Sequence, residues 1–179
     1  MINFSTIYGT LYTVVNSIIN TPTQRAALVF ADQNAPAPAK PYVYMRLNSI
    51  NQIFDDETGP IDEDGETNMR GFREFTLEIQ SIGSGAIGFI HEIETSFQKY
   101  TTRNILWQNN IAYIRQLNIT NLSEVYESRF QERASADFQF RTGIDYVDDI
   151  GIIETVILNG KYLQINGKKI ELQNTIEGG

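Results

Sequence analysis

The stretch that most constrains this chain is RFQERASADFQFR, residues 129–141. Its side chains alternate with a period of two, which is the period of a β-strand whose faces look in opposite directions. Phe130, Ala134, Ala136, Phe138 and Phe140 fall on one face, interrupted only by Glu132. Arg129, Gln131, Arg133, Ser135, Asp137, Gln139 and Arg141 fall on the other. The phenylalanines are expected in a core. The polar face meets either water or another surface. Binders of single-stranded nucleic acid interleave aromatic and basic residues on the exposed face, whereas here the aromatics lie opposite. Arginines mixed with Asp137, Gln131 and Gln139 suit a protein contact or a cross-strand charge ladder.

The flanking segments supply the rest of a fold. Phe4, Ile7, Tyr8, Leu11, Val14, Val15 and Ile18 recur at three- and four-residue spacing behind Asn3 or Ser5 as a cap, and predict a helix ended by Asn20-Thr21-Pro22. Pro36, Pro38 and Pro41 make 31–41 an extended, semi-rigid connection, because proline lacks the N–H that a helix or central strand needs. In 42–50, Val43, Met45 and Leu47 alternate with Tyr42, Tyr44 and Arg46, a strand expected to be covered on both sides. The acid-rich 55–66, DDETGPIDEDGE, has the glycine and proline of a solvated loop. Phe75, Leu77 and Ile79 then alternate with Glu74, Thr76, Glu78 and Gln80. A turn at 81–85 leads into a second helix with Ala86, Ile90, Ile93, Phe97 and Tyr100 on one face.

Residues 105–117 are expected to form a short strand or strand pair with a turn near 108–110. Near the end, Asn159-Gly160 and Asn166-Gly167 separate apolar-alternating runs. Asn-Gly is the preferred pair for a type I′ hairpin turn, whose central residues both need φ > 0, so a three-stranded meander is expected. The predicted fold class is α+β: an antiparallel sheet of about four strands packed with two helices over 1–150, and a C-terminal β-meander over 151–179.

Chemistry is harder to find. The chain has no cysteine, which excludes a disulfide framework, a thiolate metal site and a cysteine nucleophile. Its 22 acidic and 14 basic residues give a net charge of −8, which opposes general attraction to nucleic acid phosphates. The N-terminus lacks a basic n-region and no apolar run approaches about eighteen residues, so neither a signal peptide nor a membrane span is expected. The sequons at Asn118 and Asn121 are then chance matches. His91, with Ile87, Gly88 and Thr95 at helical spacing, is expected on a solvated helix face. Asp62, Asp64 and Gly65 follow a D-x-D-G order, yet an EF-hand loop with that glycine at its sixth place would start at Pro60 and end at Gly71, neither of which supplies a carboxylate. Gly160-Lys161 and Gly167-Lys168 lack the spacing of a phosphate loop, and no phosphate-binding glycine motif is expected. Glu74 and Glu78 share a strand face and are the minor candidates for a hydrolase pair. The expectation is a protein that is not an enzyme and takes no cofactor or metal.

Several stretches together carry a resemblance. PYVYMRL after the proline-rich connection, GFREFTLEIQSIG leading into a helix, ILW, RASADFQF and YVDDIGIIETV occur in an order and spacing similar to the phage neck or tail terminator proteins, over residues 4–156. The individual motifs are strand patterns, and their succession carries the likeness. The resemblance implies a structural subunit of a tailed phage that assembles with itself into a hexameric ring. That ring caps the tail tube, ends its polymerisation and joins the tail to the neck or connector, while DNA passes through the lumen without specific binding. The implied partners are further copies of the chain, the tail tube protein, the sheath and the connector. The implied location is the tail or neck of the virion, after assembly in the host cytoplasm.

On that basis Arg129, Arg133, Asp137 and Arg141 are the candidate subunit interface. Asp55, Asp56, Glu57, Asp62, Glu63, Asp64 and Glu66 are the candidate acidic lining of the lumen or its rim. The alternatives are another virion part, either a head completion protein or a baseplate adaptor, and a small hydrolase built on Glu74, Glu78 or the acidic loop. The terminal meander lies outside the family's common core. It packs on its own subunit or reaches a neighbouring one.

Overall fold

A computed structural model describes residues 4–21, 25–31, 36–126, 129–151, 155–163 and 169–177. In chain order the elements are α1 (Phe4–Ile19), β1 (Ala27–Phe30), β2 (Tyr42–Gln52), β3 (Glu57–Ile61), β4 (Glu66–Ile82), α2 (Ala86–Gln98), α3 (Tyr100–Gln108), β5 (Ile111–Asn121), β6 (Glu124–Tyr126), β7 (Arg129–Gln131), β8 (Arg133–Asp149), β9 (Thr155–Leu163) and β10 (Lys169–Glu177). The class is α+β with a mixed, mostly antiparallel sheet. The chain divides into two compact units, Met1–Glu57 with Arg70–Tyr146, and Thr58–Met69 with Val147–Gly179.

The first unit is built on a sheet ordered β1-β2-β4-β8-β5. β2 pairs antiparallel with β4, β5 antiparallel with β8, and the short β1 parallel with β2. The apolar stripe of α1 buries Ile7, Leu11, Val14, Val15, Ile18 and Ile19. Two half-buried tyrosines on the same helix keep their hydroxyls paired: Tyr8 donates to the Met45 carbonyl at 2.7 Å and Tyr12 to the Leu28 carbonyl at 3.2 Å. Those bonds set α1 over β1 and β2, with Phe30 tilted against both rings. Deeper in the core, Phe97 of α2 meets Tyr113, Phe138 and Phe140 at centroid distances of 5.5, 5.2 and 5.3 Å, and Phe140 stacks on Phe75 at 5.5 Å. Aromatic contacts of this kind join α2, β4, β5 and β8 into one packed layer.

Several expectations are corrected. The sheet of the first unit has more strands than expected, because the brief apolar run ALVF pairs as β1. The described residues hold three helices, where two were expected. Residues 100–108 are helical because Thr102 and Leu106, four apart, turn into the core, and Asn110 at φ 58° ends the turn before β5. Tyr100 therefore leaves the buried face of α2 and is 72% exposed. Tyr42 and Tyr44 are half-buried and Arg46 is exposed, so β2 is covered fully on one side only. The strand over 129–141 breaks at Glu132: β8 keeps Ala134, Ala136, Phe138 and Phe140 in the core, whereas Phe130, on β7, is 69% exposed.

In the second unit, 58–69 is not a loop throughout. β3 lies against the start of β4, with Thr67 buried and its hydroxyl donating to the Gly59 carbonyl at 2.8 Å. The Asp62 carboxylate accepts the N–H of Asp64 at 3.1 Å and of Glu66 at 2.9 Å, which closes the turn. Gly65, at φ 81°, receives the N–H groups of Ile150 and Gly151 on its carbonyl. A Cβ there would lie 2.7 Å from the Gly151 backbone, so only glycine fits. β9 and β10 pair antiparallel along their whole length, with Asn159 opposite Gln173 and Gly160 opposite Leu172. The expected turn at Asn159-Gly160 is therefore strand. The second one, at 166–167, lies outside the described residues.

Candidate functional site

The helices of the first unit pack on the phenylalanine side of the sheet, and the opposite face carries the polar side chains of β2, β4, β8 and β5. They form two clusters. In one, Arg133 donates through Nε and Nη2 to Gln80 Oε1 at 3.0 and 2.7 Å, and through Nη2 to the Tyr44 hydroxyl at 3.3 Å. The Gln80 amide donates in turn to Glu78 Oε1. The other oxygen of Glu78 accepts from Arg46 at 2.7 Å and Asn48 at 2.9 Å. Burial pushes the Glu78 carboxyl up, but the hydrogen bonds from Gln80, Asn48 and Arg46, with the Arg46 charge, outweigh it and hold the group below its ordinary range. In the second cluster, Glu74 accepts from Arg141 at 2.6 Å and from Gln139 at 2.8 Å, and Gln139 accepts from Arg115 at 2.8 Å.

Asp137 stands on β8 between these clusters, half-buried, with no hydrogen bond or ion pair among the described residues. Burial first, and the charge of Glu78 second, hold its carboxyl above the usual aspartate range. A group raised in the folded state favours folding at low pH and opposes it as pH rises through the folded value. Asp137→Asn is accordingly expected to stabilise the chain at pH 7 by about 0.5–1 kcal/mol, the cost of a poorly paired polar group discounted for its residual exposure. The gain should vanish in thermal melts run below the ordinary aspartate range. Equal gains at both pH values would show that charge is not the cause.

Three of the four predicted contact residues, Arg133, Asp137 and Arg141, thus share the sheet face, while Arg129 sits apart on β7, exposed. The acidic residues do not form one cluster. Asp56, Asp55 and Glu57 belong to the first unit and Asp62, Glu63, Asp64 and Glu66 to the second. Asp56 is a tether: Arg73 donates to both its oxygens at 2.7 Å and the Tyr146 hydroxyl adds a bond at 2.9 Å. The Arg73 hydrogen bond, against burial, holds its carboxyl below the usual range. Gly71 makes room for this pair, since a Cβ there would run into the Asp56 carboxylate. His91 is exposed, with Nδ1 3.6 Å from Glu94 Oε2 at i+3, a neighbour the spacing argument did not consider.

One glycine pattern does satisfy a phosphate-binding spacing, contrary to expectation. Gly83, Gly85 and Gly88 spell G-x-G-x-x-G between β4 and α2. The context needed for a dinucleotide is missing: β4 runs antiparallel to β2, the strand after the helices runs antiparallel to β8, and a side chain at Gly88 would meet open space rather than a packed strand. The anion seat at the start of α2 is already filled from within the chain. Glu132 Oε2 accepts the Gly85 N–H at 2.7 Å, and the Glu132 carbonyl accepts that of Gly83 at 2.9 Å. This explains the one acidic intruder on the phenylalanine face. Glu132→Ala is expected to cost about 1 kcal/mol in urea unfolding, the loss of a helix N-terminal partner.

The two carboxylates that a hydrolase would need, Glu74 and Glu78, are each held by an arginine, and among the described residues no group of acids, histidines or cysteines is arranged to hold a metal. No described helix is long and apolar enough to cross a membrane. A comparison with curated proteins finds no match to the chain. The sequence profile of the phage neck terminator proteins, in contrast, matches residues 6–166, from the first helix to the region after β9. That family is a structural component of the phage neck and tail, and the match covers both clusters of the sheet face. By this match the chain belongs to the phage neck terminator protein family.

Proposed function

We propose that this chain is the subunit of a ring that caps the tail tube of a tailed phage, stops its growth and joins it to the neck or connector, with DNA passing through the lumen. The observation that carries the reading is the family match over 6–166. The net charge of −8 agrees with a passage that DNA must not stick to. Self-association into hexamers would use the sheet face, with Arg133, Asp137 and Arg141, and Arg129 beside it. The acidic residues of 55–66 would line the lumen or its rim.

The test is to add the purified chain to tail tubes assembled without a terminator and to follow tube length and tube ends by negative-stain microscopy. Capped ends and arrested growth are expected. A chain that stays monomeric at high concentration and neither binds nor shortens tubes overturns the reading, and binding to baseplate parts instead would make it an adaptor. If the acids of 62–66 face the lumen, replacing them with amides should raise nonspecific DNA retention at low salt. Unchanged retention would move that segment to the outer surface.

A further inference from the structure

Two apolar features of the first unit are complementary and lie at opposite ends of the same strand pair. The first is the β6–β7 hairpin, a two-stranded sheet of its own. Val125 and Phe130 are cross-strand partners on it, 73% and 69% exposed. The base of the hairpin is tied down: Leu122 donates its N–H to the Arg133 carbonyl at 2.8 Å and Lys40 donates to Gln131 at 2.7 Å. This strand pair thus presents an aromatic and an aliphatic side chain together to solvent, beside the groove lined by Lys40, Pro41 and Gly83, as an apolar knob. Such exposed apolar groups mark contacts.

The second feature is a cleft of about 150 Å³ walled by Phe72 and Trp107, 56% and 53% exposed, over a low floor of Ala112 and Gly143. The cleft is open to solvent and wide enough at its mouth to meet a ring from outside. The residues around its floor and rim are held by hydrogen bonds. Asn110, at φ 58°, donates to the Gly143 carbonyl at 3.0 Å and accepts on its own carbonyl from Thr142 at 2.8 Å, while Glu74 fixes Arg141 on the rim. An aromatic pair beside an arginine has the composition of an interface centre.

The pairing of β5 with β8 places these features. Asn121 opposite Ala134 adjoins the hairpin, and Ile111 opposite Thr142 adjoins the cleft. Ten residues of strand separate the two, roughly 30 Å. A knob and a socket at opposite ends of one subunit cannot satisfy each other within it. They can between copies, and such a contact between unlike surfaces joins subunits head to tail and closes into a ring when the rotation allows. We propose that Phe130 and Val125 of one copy insert between Phe72 and Trp107 of the next. This rests on the ring reading above and adds an apolar centre to its contact, with Arg141 on the cleft rim and Arg129 beside Phe130.

Two variants decide the matter by gel filtration with light scattering. Phe130→Asp removes the knob and leaves the socket; Gly143→Leu fills the socket and leaves the knob. Each alone should self-associate at least about tenfold more weakly than the wild-type chain, the scale of a lost interface anchor. Mixed one to one, they should form a heterodimer and nothing larger, because only one intact knob then meets one intact socket. Variants that assemble like the wild type, or that fail to complement while folded, overturn the head-to-tail contact and leave ring formation standing. If Gly143→Leu does not fold, the absence of native cysteine offers a second measurement. Val125→Cys and Ala112→Cys chains, mixed under mild oxidation, should cross-link to each other and not to themselves. No cross-link within an intact assembly overturns the contact equally. A wild-type chain that never assembles, alone or on tubes, overturns the ring and the contact together.

Discussion

Replacing Phe97 with alanine is expected to cost about 4 kcal/mol, a large part of the stability of a domain this size. The ring is fully buried and touches Tyr113, Phe138 and Phe140, which come from two strands of the sheet. Those neighbours cannot collapse into the space left behind, because Phe138 and Phe140 alternate with side chains held in the polar network on the other face. The loss is thus the transfer of the ring to water plus a persistent cavity. Urea unfolding followed by circular dichroism measures it. Phe97→Leu, which refills most of the volume, should cost less than about 1.5 kcal/mol. An alanine variant that loses no more than the leucine one would show that α2 can settle onto the sheet without the ring.

Glu78→Ala is expected to cost about 3 kcal/mol by a different route. Its removal leaves Arg46, Asn48 and Gln80 without the acceptor they share, and Gln80 is the residue that holds Arg133. The sign of its pH dependence follows from the carboxyl being held below its ordinary value of 4.5. A group depressed in the folded state contributes stability that is fully present above the unfolded value and is lost as pH falls through the folded one. The difference between Glu78→Ala and the wild type should therefore be full at pH 7 and shrink progressively below about pH 4.5. A difference that stays constant into acid would assign the cost to packing instead.

Both variants act on features that the sequence showed unequally. Period-two alternation marked β2, β4 and β8 and named which residues share each face, and three- and four-residue spacing marked α1 and α2. Alternation says nothing about partners, however. Arg133 finds Gln80 and Tyr44, which are 53 and 89 residues away along the chain. The elements misread were those where tertiary packing overrides local preference. ILW reads as strand, yet Leu106 is buried from a helix. Asn159-Gly160 reads as a turn, yet both residues pair within β9. Glu132 broke the alternation in plain view, and its meaning depended on the start of α2, far away in sequence. The knob and the cleft were unreadable in advance, since each requires knowing which apolar residues the core leaves out.

The tether at Asp56 has a mechanical side. The chain passes between its two units three times, after Glu57, before Arg70 and after Tyr146. Near those crossings, Arg73 and Tyr146 both donate to the Asp56 carboxylate. Within the first unit, three stretches far apart in sequence are thus held at one carboxylate, so losing Asp56 would free all three at once.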